Sequence, residues 1–453
     1  MLSFDWCAAD PNPFSSGGNR CALRRIRIGL AELVIVRTHR EDPWPQTKRE
    51  ADSMERKMAV REALDGLRER LVEMNQWMYD NPELGFQEYR ASELLTDELE
   101  KAGFEVQRGV AGKETAFSAR YRGSNSGPTI AFFAEYDALP DIGHACGHNI
   151  IGTSAIGAAI SLATAWPDMP GSVYVFGAPA EEQSSVIDDC GGKVYIVEEG
   201  LLEDVDVAMM MHPTNFNSAW SNNLAVQPLE MVFHGKTAQP AGSAHLGINA
   251  FEAAVLAYTN INAIRQYFPP DHFVHGMTTE SGPAPNIMSP RSKLRLHVRA
   301  PSNALLEELL VKIKNCGQAA ALVTGARVDF NYYLLRYKEV VNNHRLANLL
   351  EENLEALDLE VAPMAARPRG STDMGNVSQA VPSVHGYISL GPAEKVGNTH
   401  NPEFAPSTVE EAGKTALMNA AAAMAMTAVD LLSDPKLVED AKNEFGAAMK
   451  AIR

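Results

Sequence analysis

Between residues 129 and 211 the sequence alternates short apolar runs with longer segments of helical character, and this alternation restricts the fold more than any other feature. Strand-like runs at 129–134, 173–177 and 207–211 are separated by a small-residue helix starting near 150 and a helix near 193–202. Such alternation predicts a mostly parallel sheet, because parallel neighbours need a crossover, and helices then cover both faces. In sheets of this kind ligands gather beyond the carboxyl ends of the strands. Ahead of it, Val60, Leu64, Leu67, Leu71, Met74 and Met78 recur at helical spacing. Pro82-Glu83-Leu84-Gly85 then turns the chain into a second helix ending near Gly103.

From residue 226 the order changes to strand (229–233), helix (249–267), strand (274–279), strand (293–300), helix (303–324) and strand (327–333). This is a split βαβ, ferredoxin-like pattern. It divides the chain into an inserted domain over 227–335 and an α/β domain built from 56–226 and 336–453. Residues 1–55, with Pro11, Pro13, Gly17, Gly18 and the basic Arg24, Arg25 and Arg27, are expected to form a flexible arm, without the apolar core of a secretory signal. The chain ends in a charged amphipathic helix over 434–453.

A length of 453 residues exceeds one ordinary core. A net charge of −17 repels phosphate backbones and anionic lipid, which excludes nucleic acid and membrane surfaces as partners and leaves small molecules. The apolar stretches 150–166 and 420–432 are Ala-rich and fall short of a bilayer span. Five scattered cysteines do not make a disulfide framework, so a reducing, cytoplasmic setting is expected.

Chemistry concentrates in 135–149, where Glu135, Asp137, Asp141, His144, Cys146 and His148 follow a buried strand. A Cys-x-His pair places a thiolate and an imidazole where both can ligate a borderline metal such as zinc. Taken singly each residue has an ordinary structural role. Glu181 and Glu182 stand just beyond the 173–177 strand. Outside a helix adjacent carboxylates diverge, so one can ligate while its neighbour faces an attacking water. His212 ends the 207–211 run, and His400 lies in a second polar segment expected to follow a strand. Cys146, His148, Glu182, His212 and His400, with Glu181 to spare, suffice for two ions with an open position for water.

The segments AEYDALPDIGHACGHN, PAEE, MMMHP, GSTDMGN and NTHNPEFA, in this order and spacing, resemble the aminoacylase and carboxypeptidase-G family of metallopeptidases. The nearer branch is that of aminobenzoyl-glutamate hydrolases and β-alanyl-lysine dipeptidases, and the resemblance runs from about residue 58 to the end. It implies a two-metal catalytic domain with an inserted dimerisation or lid domain. It implies those five residues as ligands of zinc, with manganese or cobalt as alternatives, Glu181 as general base, and Asp137 as a carboxylate orienting a ligand. It further implies a homodimer and a dipeptide or N-acyl amino acid as substrate. Asn286 and Arg299 would clasp the substrate carboxylate, and Gly370 and Ser371 would contact the substrate.

Three departures stand out. Gln239 occupies the place of a family histidine that polarises the scissile carbonyl; it can donate a neutral hydrogen bond but carries no charge. His245 is a candidate replacement, with a surface role as the simpler reading. Residues 183–190 form a short insertion, and Arg367-Pro368-Arg369 add positive charge near the expected pocket rim. The amidohydrolase reading therefore stands beside two alternatives: a biosynthetic enzyme adapted through Gln239, or a metal- and ligand-binding protein without turnover.

Overall fold

The computed structural model describes residues 48–183, 188–365 and 370–452. Most of the expected arm, four residues of the 183–190 insertion and Arg367-Pro368-Arg369 lie outside the described residues. Helix α1 (Lys48–Asp80) already begins inside the 1–55 segment. It is tied down there by Ser53 Oγ to Asp430 Oδ1 at 3.0 Å and, just past the segment, by Lys57 Nζ to Asn353 Oδ1 at 2.8 Å, long-range contacts that local composition does not reveal. After the turn at 82–85 comes α2 (Tyr89–Lys101), which buries Leu95 and Leu99 in the same core as α1.

The larger sheet contains β1 (Glu105–Arg108), β2 (Phe117–Arg122), β3 (Asn125–Ala134), β4 (Pro170–Gly177), β5 (Val207–Thr214) and β10 (Ser383–Ser389), in the order β1-β2-β4-β3-β5-β10. The pairs β4/β3, β3/β5 and β5/β10 are parallel, while β1/β2 and β2/β4 are antiparallel. The parallel core is the one the alternation predicts, and the antiparallel edge is an addition to it. Along β3 the residues divide by parity: Ile130 and Phe132 enter the core beneath α1, α3 (His148–Ala165) and a long C-terminal helix (Glu411–Ser433), whereas Ala131 and Phe133 face the opposite core. That second core contains Ile196 of α4 (Gly192–Glu198) together with Met374 and Val377.

The Glu411–Ser433 helix is long and apolar enough by length and composition to cross a membrane. Yet 83% of its most apolar window is buried against its neighbours here, as in the core helix of a globular domain. Its alanines let α1 and α3 approach closely.

The smaller sheet comprises β6 (Ala225–His234), β7 (Phe273–Glu280), β8 (Arg291–Ala300) and β9 (Arg327–Asn331), ordered β7-β8-β6-β9 and antiparallel throughout. The helices Ala250–Arg265 and Asn303–Thr324 cross between its strands, capped by Asn249 accepting from the Phe251 N–H and by Ser302 accepting from the Leu305 N–H. Along β8, Leu294, Leu296 and Val298 are buried under these helices, which turns Arg295, His297 and Arg299 to the other face.

Candidate metal centre and its cavity

Three loops and one strand end meet at the carboxyl edge of the parallel sheet. After β3 the chain runs through 135–147 into α3, so Cys146 precedes the helix and His148 opens it. Gly147 between them has φ +82°, and a Cβ there would meet Pro213 Cγ at 2.4 Å. Glycine is thus what allows the Cys146 turn to close on β5, where His212 precedes that proline. The Cys146 Sγ lies 3.4 Å from His212 Nε2. His400 does not follow a strand directly, as its sequence suggested; it comes after the short helix Ala393–Val396, at φ 68°. Its backbone N–H donates to the Ala145 carbonyl at 2.9 Å, which couples the two ligand loops.

Glu181 and Glu182 follow Ala180, a non-glycine residue held at φ 55°. Buried Glu88 accepts the Ala180 N–H at 2.9 Å, and Tyr337 Oη donates to the Glu181 carbonyl at 2.6 Å, so the strained turn is gripped from both sides. Burial, with Asp137 close by, raises the Glu88 carboxyl to about 8. Neither Glu88 nor Tyr337 was legible as a site residue.

The ligand-type atoms form overlapping sets: Cys146, His148 and His212 in one, Cys146, Glu182 and His400 in another, with the atoms of each set within 4.8 Å of one another. Cys146 is common to both. His148 Nδ1 sits 2.9 Å from Asp137 Oδ1 and His212 Nδ1 2.8 Å from the Pro213 carbonyl, which leaves each Nε2 with its lone pair toward the centre. His148 Nε2 and Glu182 Oε1 are buried without any hydrogen-bond partner. Burial alone would raise the Cys146 thiol, but the imidazoles of His148, His212 and His400 outweigh it and hold it well below the ordinary thiol value. Orphaned acceptors around a thiolate fit divalent cations, and Cys146, His148, Glu182, His212 and His400 are the residues that would hold them.

Behind this centre lies a buried lysine that sequence reasoning passed over. Lys193 of α4 is fully buried and pairs with both Glu135 and Asp373, and its backbone N–H donates to Asp373 Oδ2 at 3.0 Å. Glu135, Glu181 and Asp373 bring ligand-type oxygens close together. Burial, then the charges of Glu135, Glu182 and Asp373, push the Glu181 carboxyl well above the usual carboxylate range, which makes it a stronger base.

The centre opens into a cavity of about 630 Å³ whose wall includes Cys146, Glu181, Glu182, His212 and His400. Arg299 from β8 reaches the same cavity, as do Gly370 and Ser371; the Arg299 Nε and Ser371 Oγ are buried and unpartnered. His297, Tyr387 and His385 also line it, and none of these was singled out by sequence. Burial, then His212 and Lys193, keep the His385 imidazole far below its ordinary value and therefore neutral. Gln239, His245 and Asn286 are not among the described residues of the wall. Arg299 lies near the far end of β8, whereas Asn286 precedes its start and Gln239 follows β6 at that same end. At roughly 3.4 Å per residue a strand of this length separates them by well over 20 Å, so one chain cannot apply both to one carboxylate.

The model of peptidase family M20/M25/M40 matches residues 131–423. This chain belongs to that family. Among its relatives, the Xaa-Arg dipeptidase of Mus musculus is 36% identical over 420 residues, covering 89% of this chain and 95% of the relative. A p-aminobenzoyl-glutamate hydrolase subunit of Escherichia coli (strain K12) is 30% identical over 295 residues, covering 60% of each chain. Of solved structures, the Bacillus subtilis YXEP protein, described as a dinuclear metal binding peptidase, aligns with a TM-score of 0.58 at 21% identity, over 81% of this chain and 99% of that one. The aminobenzoyl-glutamate utilization protein of Klebsiella pneumoniae aligns at 0.60 and 18%, over 79% and 97%. These two share the fold. Membership in this family, together with dipeptidase and hydrolase relatives, makes the M20 chain a metal-dependent hydrolase of amide bonds.

Proposed function

We propose that this M20 hydrolase cleaves the amide bond of a dipeptide or N-acyl amino acid bearing a free carboxylate, with two zinc ions per chain, as a cytoplasmic homodimer. The observation that carries the substrate class is Arg299. It is a guanidinium with an unpartnered buried nitrogen, aimed from the smaller sheet into the cavity that holds Glu181 and Glu182. The Xaa-Arg dipeptidase relatives support the same class.

Divalent ions held by the Cys146 set supply Lewis acidity toward water and a carbonyl oxygen. Glu181 takes the proton of the attacking water and returns it to the leaving amine. Asp137 fixes the His148 ring, and Lys193 offsets the negative charge that Glu135 and Asp373 place behind Glu181. The Arg299 guanidinium holds the carboxylate of the leaving amino acid. Dimerisation is supported by the distance of Asn286 and Gln239 from their own cavity, which leaves them for a partner's, and by the edge strand β7 with Phe273 and Met277 exposed at 40% and 62%. Free, buried Cys146, Cys190 and Cys316 suit a reducing compartment. An intact base beside an intact ligand set weighs against the biosynthetic and non-catalytic alternatives.

The test is a zinc-reconstituted assay over dipeptides and N-acyl amino acids with wild type and Glu181→Gln. Hydrolysis of carboxylate-bearing amides that is lost in Glu181→Gln is the expected result. No turnover of any amide by the wild type overturns the proposal.

A further inference from the structure

His385 is a cavity histidine that the metal centre does not use. It lies on β10, 3% exposed, with its ring 6.0 Å from that of His212 and 4.9 Å from that of Tyr387. The Ser221 Oγ is 2.7 Å from His385 Nδ1 and 2.6 Å from the His385 carbonyl oxygen. A carbonyl only accepts, so the single hydroxyl hydrogen points to it, and the hydroxyl oxygen must then accept from Nδ1–H. The opposite assignment would press two oxygens together with no hydrogen between them. This pairing sets the tautomer, and Nε2 carries a lone pair.

That Nε2 is buried and has no hydrogen-bond partner. The Ser221 backbone is held in place, its N–H donating to Asn342 Oδ1 at 3.0 Å and its carbonyl accepting from Asn342 Nδ2 at 2.7 Å. His385 does not join any of the close ligand sets around Cys146 or Glu182. The cavity wall therefore includes Arg299, a guanidinium for an anion, and His385, an acceptor whose ring lies 6.0 Å from that of the ligand-type His212. A ligand satisfying both has a carboxylate at one end and an N–H donor at the other.

We propose that His385 determines specificity on the acyl side: its Nε2 accepts a hydrogen bond from the free amino group of the residue whose carbonyl is cleaved, so the preferred substrates are dipeptides. In an α-aminoacyl group the nitrogen is one carbon from the scissile carbonyl, which matches an acceptor adjacent to His212. A simple N-acyl amino acid offers no hydrogen there and leaves the buried Nε2 unpaired, and sites built around such a bond reject the analogue lacking it. The inference rests on the amidohydrolase reading and chooses between the two substrate classes that reading leaves together.

Alanyl-arginine and propionyl-arginine differ only in the amino group. The zinc-loaded wild type is expected to favour alanyl-arginine by about tenfold or more in kcat/KM. His385→Phe should lose that preference by falling on alanyl-arginine alone, Ser221→Ala should lose part of it, and His385→Gln, whose amide oxygen accepts, should recover part. A parallel fall on both substrates, or fewer zinc ions per chain in His385→Phe, overturns the proposal. If the wild type cleaves neither compound, the hydrolase reading is still judged on the full amide panel. Calorimetry on zinc-loaded Glu181→Gln then decides His385: the tenfold difference in affinity must appear there and vanish when His385→Phe is added.

Discussion

Asp137 Oδ1 lies 2.9 Å from Nδ1 of His148, and its second oxygen accepts the Glu182 N–H at 3.0 Å, so one buried carboxylate positions ligands from two separate loops. In Asp137→Asn one of these contacts must face an N–H instead of an acceptor, and either the His148 ring or the Glu182 turn loses its register. We expect metal affinity to fall about 10- to 100-fold in chelator-competition titrations, with much of the activity restored by excess zinc. Unchanged affinity would remove Asp137 from its positioning role.

Glu181 and Glu182 are neighbours with different work, and their isosteric amides should separate the two. Glu181→Gln should keep its metal and lose about 10²- to 10⁴-fold in kcat, the usual range for a proton-transfer group. Glu182→Gln should instead lose metal, because its Oε1, buried without a hydrogen-bond partner and 3.3 Å from His400 Nε2, is the atom assigned to the metal in the proposed site. Metal analysis beside steady-state kinetics on both variants gives the answer.

Arg299→Ala should raise KM about 10- to 100-fold for carboxylate substrates, the cost of losing a charge-assisted pair. Arg299→Lys should recover only part, since an ammonium cannot reproduce the two-pronged guanidinium contact. Amidating the substrate carboxyl should cost the wild type a similar factor and the Arg299→Ala variant almost nothing further. Equal losses in both proteins would place the carboxylate elsewhere.

The centre was readable in sequence because Cys146 and His148 crowd into one loop with Asp137, and because Glu182 and His212 stand at the ends of recognisable strands. Arg299 was readable only through the family resemblance, which pairs it with Asn286, and the structure sets Asn286 ahead of β8 and Arg299 near its far end. Glu88, Lys193 and His385 were opaque for a different reason. Each is a polar residue in its own segment, ordinary by composition, and only the crossover of β3, β5 and β10 brings these segments together. The same holds for β1, β2 and β10. They are short or mixed in character, and pairing rather than propensity makes them strands.

His297 leads to a prediction about stability. It shares the cavity-facing side of β8 with Arg299, and burial, then the Arg299 charge, then His275, lower its imidazole to about 4. In the unfolded chain the same group titrates near its ordinary value of 6.5. Between these values the unfolded state binds a proton that the folded state does not, so stability is full above about pH 6.5 and falls as pH drops toward 4. Removing the group should flatten that limb: His297→Gln should lose on the order of 2 kcal/mol less than wild type between pH 7 and pH 4.5 in denaturant titrations. Arg299→Ala should act in the same direction and less strongly, because burial outranks the guanidinium among the causes. Identical pH profiles for wild type and His297→Gln would show that His297 does not titrate differently on folding.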